Sequence, residues 1–173
     1  YQKINIKKEN FNRDVDRLIE EGYYGLNVTV PLKEDAYKYC DNTSDVAKTL
    51  KAVNTLIINN DGVYGDNTDP IGFEKSIANR GLNKKLCVVL GAGGSARAVV
   101  YALTQMKCEI GIYNRTKKNA ESLCNDLGVE ATILTEKTLS EFVGSSHLVV
   151  NTTSLGQQEG EENNLIDFNS LNS

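Results

Sequence analysis

The chain has 173 residues, 40% of them hydrophobic, with 14 glycines and a net charge of −4 from 19 Lys and Arg against 23 Asp and Glu. This is the composition of a soluble globular protein of one domain or two small ones, and it excludes a disordered tail, a collagen-like repeat and a disulfide miniprotein. The mild acidity argues against nucleic acid or an anionic membrane as partner, and no apolar run approaches the roughly 18 residues that span a bilayer.

Residues 1–6 read as a short strand. From Asn10 to Glu21, Phe11, Val15, Leu18 and Ile19 fall on one face of a helix, and Gly22 stands where a terminating glycine belongs. Gly25–Val30 reads as a strand, and Pro31 opens a helix through Tyr39, since proline suits a first helical turn. Ala47–Leu50 continues as a second short helix. Val53–Ile58 is β-rich, Asn60-Asp61-Gly62 is turn chemistry, and Val63-Tyr64-Gly65 pairs back as a hairpin. Asp69 followed by Pro70 predicts a capped helix running to about Arg80 and ending at Gly81.

The rhythm then changes. Strand-like Leu86–Leu90, Glu109–Tyr113, Val129–Leu134 and His147–Asn151 alternate with helical patterns through Met106, over Lys117–Leu127 and over Leu139–Val143. Such alternation with continuously apolar strands predicts α/β architecture: a parallel, Rossmann-like sheet over 82–173, preceded by a smaller α/β domain over 1–81. The tail from Gln157 to Ser173 reads as a loop.

Cys40, Cys87, Cys108 and Cys124 include no C-x-x-C pair, and the start of the chain has no signal-peptide pattern. Reduced thiols and a cytoplasmic location are therefore expected. The only histidine, His147, opens an apolar strand and reads as structural; with so few ligands, no metal site is expected.

Gly91-Ala92-Gly93-Gly94-Ser95-Ala96 fits G-x-G-x-x-A. It follows a predicted strand and opens a helix, the context in which glycines permit a tight turn and a close approach of backbone to a pyrophosphate. The free N–H groups of the helix start favour the anion. At the end of the second strand, Tyr113-Asn114-Arg115-Thr116 offers no carboxylate to hold a ribose 2′-hydroxyl, the usual mark of an NAD reader. Arg115 offers a guanidinium fork and Thr116 a hydroxyl, with Lys117 and Lys118 adding positive field, so NADP is the expected cofactor.

The first half has further polar clusters: Asn27 and Thr29 on a strand, Lys33 in the following helix, Asn54 and Thr55 in another strand, and Asn67-Thr68-Asp69 before a helix. Each alone fits a surface or capping role. Together, Gly25-Leu-Asn-Val-Thr-Val-Pro-Leu-Lys-Glu34, Ala52-Val-Asn-Thr55, Gly65-Asp-Asn-Thr-Asp69, Gly91–Ala96, Asn114-Arg-Thr116 and Asn151-Thr-Thr-Ser154 resemble the motifs of the shikimate dehydrogenase family, in order and at its spacing.

That resemblance implies reduction of the ring ketone of 3-dehydroshikimate by NADPH, in the pathway to aromatic amino acids. It implies Lys33 and Asp69 as the catalytic pair. Thr29, Asn54 and Asp69 would contact substrate hydroxyls, with Asn27 and Thr55 supporting the pocket. Gly91, Ala92, Gly93, Gly94, Ser95, Ala96, Asn114, Arg115 and Thr116 would bind NADP, and Asn151, Thr152 and Thr153 would line the nicotinamide side. The resemblance also implies that family segments before Tyr1 and after the matched region belong to the complete pattern, so the chain is expected to be the central part of such an enzyme, poorly soluble or associating because a sheet edge lies open, and without measurable dehydrogenase activity alone. Gln157 stands where the family has methionine, and Pro70 is unusual after Asp69. A quinate-active relative and a non-catalytic dinucleotide- or partner-binding module both stay open, and oligomeric state is not legible.

Overall fold

A computed structural model describes residues 1–153. The expected loop over 157–173, Ser154 and Gln157 lie outside the described residues. Two compact units emerge, Tyr1–Asp69 and Pro70 onward. The sequence places its boundary at 81–82; in the structure Ile77 and Leu82 are buried in the second unit's core.

In the first unit, residues 1–7 form no strand, contrary to the expectation for 1–6. They make no backbone ladder, and Ile6 packs against the core. A 3-10 turn (Lys8–Asn10) leads into α1 (Phe11–Glu20), which buries Phe11, Val15 and Leu18 as their spacing predicts. Strand β1 (Gly25–Asn27) stops before the expected Val30. The Val28 N–H still donates to the Asn54 carbonyl, but the chain then turns, and the Leu32 N–H donates to the Thr29 carbonyl at 2.9 Å. Pro31 follows a cis Val30–Pro31 bond inside this turn, so it does not occupy the first helical turn; α2 (Lys33–Tyr39) begins with Lys33.

A two-residue strand not foreseen from the sequence, β2 (Asn42–Thr43), precedes α3 (Asp45–Leu50), whose start is capped by Ser44 Oγ accepting the Ala47 N–H. The strands β3 (Thr55–Asn59) and β4 (Gly62–Asp66) form the predicted antiparallel hairpin. The sheet order is β1-β3-β4-β2, with only β2 and β4 parallel. Phe11, Val15, Ala36, Ala47, Val53, Leu56 and Val63 form its core. Gly65 is required there: a Cβ would meet Cys40 Sγ at 2.5 Å and Val53 Cγ2 at 2.7 Å.

Helix α4 (Asp69–Ile77) starts at Asp69 itself, so Asp69 is not its cap. Asn67 Oδ1 accepts the Asp69 N–H at 3.1 Å instead. Pro70 then occupies the first turn, where its missing N–H costs nothing. A 3-10 turn (Ala78–Arg80) ends at Gly81 in the left-handed region, φ 62°.

The second unit follows the predicted alternation: β5 (Leu86–Leu90), α5 (Gly94–Gln105), β6 (Glu109–Tyr113), α6 (Lys117–Leu127), β7 (Thr132–Leu134), α7 (Glu136–Ser145) and β8 (Leu148–Asn151). All pairings are parallel in the order β7-β6-β5-β8, the Rossmann-like arrangement expected. Cys87 and Val89 of β5 face the cluster built with α5 and α6, while Val88 and Leu90 face the cluster built with α7. Burial on both faces explains why this strand reads as an unbroken apolar run.

Two elements differ in length from their sequence patterns. The strand expected from Val129 begins at Thr132, because the Val129 N–H reaches back to the Cys124 carbonyl and closes α6 behind Gly128, φ 63°. Helix α7 starts at Glu136 rather than Leu139, because Thr135 and Thr138 form a reciprocal capping box.

Candidate functional site

The first unit gathers its polar residues into one network. Lys33 enters at the start of α2, where its carbonyl accepts the Val53 N–H at 2.9 Å and so ties the helix to the segment that leads through Asn54, expected in the strand but just outside it, into β3 at Thr55. Lys33 Nζ donates to Asp69 Oδ2 at 2.6 Å, with the side chains 16% and 32% exposed. The pair is thus shielded enough to be strong and open enough to meet a ligand.

Asn54 orients the carboxylate. Its Oδ1 accepts from the Thr68 N–H at 3.1 Å and from Thr55 Oγ1 at 2.9 Å. These donors turn its amide nitrogen outward, to Asp69 Oδ1 at 2.7 Å and Thr68 Oγ1 at 3.1 Å. Each Asp69 oxygen therefore has a fixed partner. Asn27 Nδ2 extends the network to Thr55 Oγ1 at 3.5 Å, and Asn27 Oδ1 accepts from the Tyr1 hydroxyl at 3.3 Å. Thr29 is exposed and has no side-chain hydrogen bond among the described residues; with Asn27 it lines a cleft of about 620 Å³.

Asn67 was not singled out as a site residue by sequence reasoning. It is 5% exposed, the only buried polar residue among those described. Its Nδ2 donates to the Ala52 carbonyl at 2.9 Å while its Oδ1 takes the Asp69 N–H. Ser44 Oγ donates to Asp66 Oδ1 at 2.6 Å, and that same oxygen accepts the Asn67 N–H at 2.8 Å. The signal for Asn67 lay in its place within Gly65–Asp69, but its burial came only with the fold. The arrangement can deliver a proton from an ammonium to an oxygen and hold hydroxyl groups against a fixed carboxylate and amide.

In the second unit, the other predicted residues converge at the carboxyl ends of the parallel strands. Gly91–Gly93 follow β5, Asn114–Thr116 follow β6, and Thr152 and Thr153 follow β8; all line one cleft of about 520 Å³. Strand order reverses at β5, the position where open α/β sheets bind ligands.

Gly91 has φ +107°, and a Cβ there would meet Thr152 Oγ1 at 2.5 Å. That hydroxyl is held by the Leu90 carbonyl at 2.6 Å. Gly93 and Gly94 face open space, leaving the N-terminus of α5 bare to an anion. Ser95 is exposed beside them, whereas Ala96 is fully buried where α5 meets the sheet. Asn151 Oδ1 accepts from Thr153 Oγ1 at 2.7 Å and from the Thr153 N–H at 3.0 Å. Asn114 Nδ2 donates to the Thr116 carbonyl at 2.8 Å, shaping the turn that exposes Arg115. A bare glycine loop, an open helix start and an exposed guanidinium fit a phosphorylated dinucleotide.

Burial disfavours the thiolate at each of the four cysteines. All four are free. Burial pushes the Cys87 thiol up to about 12 and, with Asp41 nearby, the Cys40 thiol up to about 11. Burial also raises Cys108 and Cys124. His147 is exposed and stands just before β8, where its N–H donates to the Leu86 carbonyl at 2.8 Å. No group of three or more His, Cys, Asp or Glu among the described residues is placed to hold a metal ion. No helix among them is long and apolar enough to cross a membrane.

Two family models match the chain. The shikimate dehydrogenase substrate-binding domain covers residues 1–56, and shikimate / quinate 5-dehydrogenase covers residues 74–165. The chain belongs to the shikimate dehydrogenase family. An NADP(+)-dependent shikimate dehydrogenase of Acinetobacter baylyi is 41% identical over 159 residues, covering 89% of this chain and 61% of that protein. The crystal structure of shikimate dehydrogenase from Aquifex aeolicus superposes with a TM-score of 0.86 at 33% identity, covering 96% of this chain and 61% of that one. The Thermus thermophilus shikimate 5-dehydrogenase, crystallised with NADP(H) and shikimate, superposes with a TM-score of 0.76 at 32% identity, over 87% of this chain and 56% of that one. The chain thus spans about three fifths of the length of the relatives it matches.

Proposed function

We propose that the protein carries the catalytic pair and the dinucleotide cleft of an NADP-dependent shikimate dehydrogenase, interconverting 3-dehydroshikimate and shikimate. The observation that carries this reading is the Lys33–Asp69 ion pair at 2.6 Å, with Asn54 holding the second carboxylate oxygen.

Reduction of a ring ketone leaves developing negative charge on its oxygen, which needs a donor at roughly 2.6–3.2 Å. Lys33 Nζ is that donor. Asp69 fixes the ammonium's direction and, with Asn54 and Thr29, accepts and donates hydrogen bonds to ring hydroxyls. Asn27 and Thr55 hold Asn54 in its working orientation. The bound nicotinamide dinucleotide supplies the hydride. Gly91–Ala96 would hold its pyrophosphate, Asn114, Arg115 and Thr116 its 2′-phosphate, and Asn151, Thr152 and Thr153 would form the wall on its nicotinamide side. Free thiols fit a reducing compartment such as the cytoplasm.

Shikimate is titrated into the labelled protein, with and without NADP+, while NADPH absorbance is followed. Amide shifts at Lys33, Asn54 and Asp69 are expected on binding, with NADPH formation in a chain carrying the complete family pattern. No shifts at millimolar shikimate and no NADPH would overturn the reading. The family description joins shikimate and quinate, so the same titration with quinate decides between them: the productive substrate is the one whose shifts saturate at lower concentration.

A further inference from the structure

We infer that Lys137, at the start of α7, is a second cation for the dinucleotide's 2′-phosphate, acting with Arg115 from the turn after β6; this rests on the NADP reading above. Arg115 stands between two clefts. One is the dinucleotide cleft already described; the other, of about 510 Å³, continues round to the start of α7 and is lined by Arg115, Lys117, Thr135, Glu136 and Lys137. Tyr113, Asn114, Arg115 and Glu136 line both, so the two are continuous around the guanidinium.

Among the described residues, two cations of this region have no acidic partner. Lys117 Nζ is taken by Glu121 at 3.2 Å. Neither Arg115 nor Lys137 forms an ion pair among the described residues, and Lys118 lines neither cleft. Among the described residues, Glu136 is the only acid in either lining. The first turn of α6 has no acidic residue, and Thr116 makes no side-chain cap there. Lys137 lies in the first turn of α7, where the helix dipole opposes a cation. Two unpaired cations, an uncapped helix start and an open cleft between them suit a doubly charged, exposed phosphate. That is the 2′-phosphate rather than the diester-like pyrophosphate, which has its own cradle at Gly93 and Gly94.

Binding of adenosine 2′,5′-bisphosphate and of adenosine 5′-monophosphate is measured by calorimetry for the wild-type protein, Lys137→Ala, Lys137→Arg and Arg115→Ala, at two salt concentrations. Lys137→Ala should weaken the bisphosphate by about two- to fivefold at low salt, the range of an exposed charge pair. It should leave the monophosphate unchanged and reduce the salt dependence; Lys137→Arg should restore both. An equal loss for the two ligands, or none, would overturn the role of Lys137 while leaving the NADP reading intact, provided wild type still prefers the bisphosphate and Arg115→Ala removes that preference. Wild type binding both ligands equally would overturn the NADP reading and this inference with it.

Discussion

The two units build their sites from different material. In Tyr1–Asp69 the site is made of side chains: Lys33, Asn54, Thr55 and Asp69 meet through hydrogen bonds of 2.6–2.9 Å, at the starts of two helices and of β3. From Pro70 onward the site is made largely of backbone: glycines, an open helix start and strand ends on a parallel sheet buried on both faces. A side-chain site is broken by removing atoms; a backbone site is broken by adding them. Substitutions in the two units should therefore fail differently, one in chemistry and the other in stability or cofactor choice.

The sharpest test of the contrast is Lys33→Ala. In a chain carrying the complete family pattern, loss of the proposed proton donor should lower kcat by about 10²–10⁴, with little change in KM. Steady-state kinetics checks this, and a variant keeping half its kcat would reduce Lys33 to a surface residue. Gly91→Ala should act in the opposite way. A Cβ at φ +107° pressing on Thr152 Oγ1 should cost on the order of 2–4 kcal/mol of stability, read as a lowered urea midpoint.

Asn67 tests whether the first unit's chemistry has a structural support. Asn67→Ala removes a buried amide that joins the Ala52 carbonyl to the Asp69 N–H. It should cost about 1–3 kcal/mol and lower kcat as well, since Asp69 loses its anchor; a loss of stability with full kcat would show that Asp69 is positioned by Lys33 and Asn54 alone. Arg115→Ala should weaken NADP+ by about tenfold and leave NAD+ nearly unchanged, while Asn114→Asp should shift preference toward NAD+ by adding a charge that repels the 2′-phosphate. Comparison of kcat/KM for the two cofactors decides it.

The smallest effect is set by pH. Burial raises the Cys87 thiol from 9.0 to about 12 and, with Asp41, the Cys40 thiol from 9.0 to about 11. The folded state thus holds protons that the unfolded chain releases first. Their contribution is complete below about pH 9 and is lost as pH rises through 11 to 12. Urea titrations across that range should show stability falling with pH, and Cys87→Ala should flatten the slope.

How much was legible beforehand also differs between the units. Leu86–Leu90, Glu109–Tyr113 and Lys117–Leu127 occur with the bounds their patterns predict, because a strand buried on both faces and an amphipathic helix leave an unambiguous record in residue type. The motif around Gly91 was equally readable, since few residues tolerate its backbone angles. Element ends were less so. Val129 pairs with a helix instead of a strand, and Thr135–Thr138 cap α7 with a threonine where the common signal is Glu or Gln.

Residue order along the chain was enough to determine the parallel α/β alternation, the glycine turn and the absence of a carboxylate after β6, because each depends on local periodicity or on a single backbone conformation. Only the tertiary structure decided that Asp69 begins its helix rather than caps it, that buried Asn67 anchors it, and that Lys33, 36 residues away, reaches its carboxylate at 2.6 Å. Those outcomes are contacts between distant segments. They depend on where β3, β4 and α2 pack, and no local pattern of residue types encodes a distance.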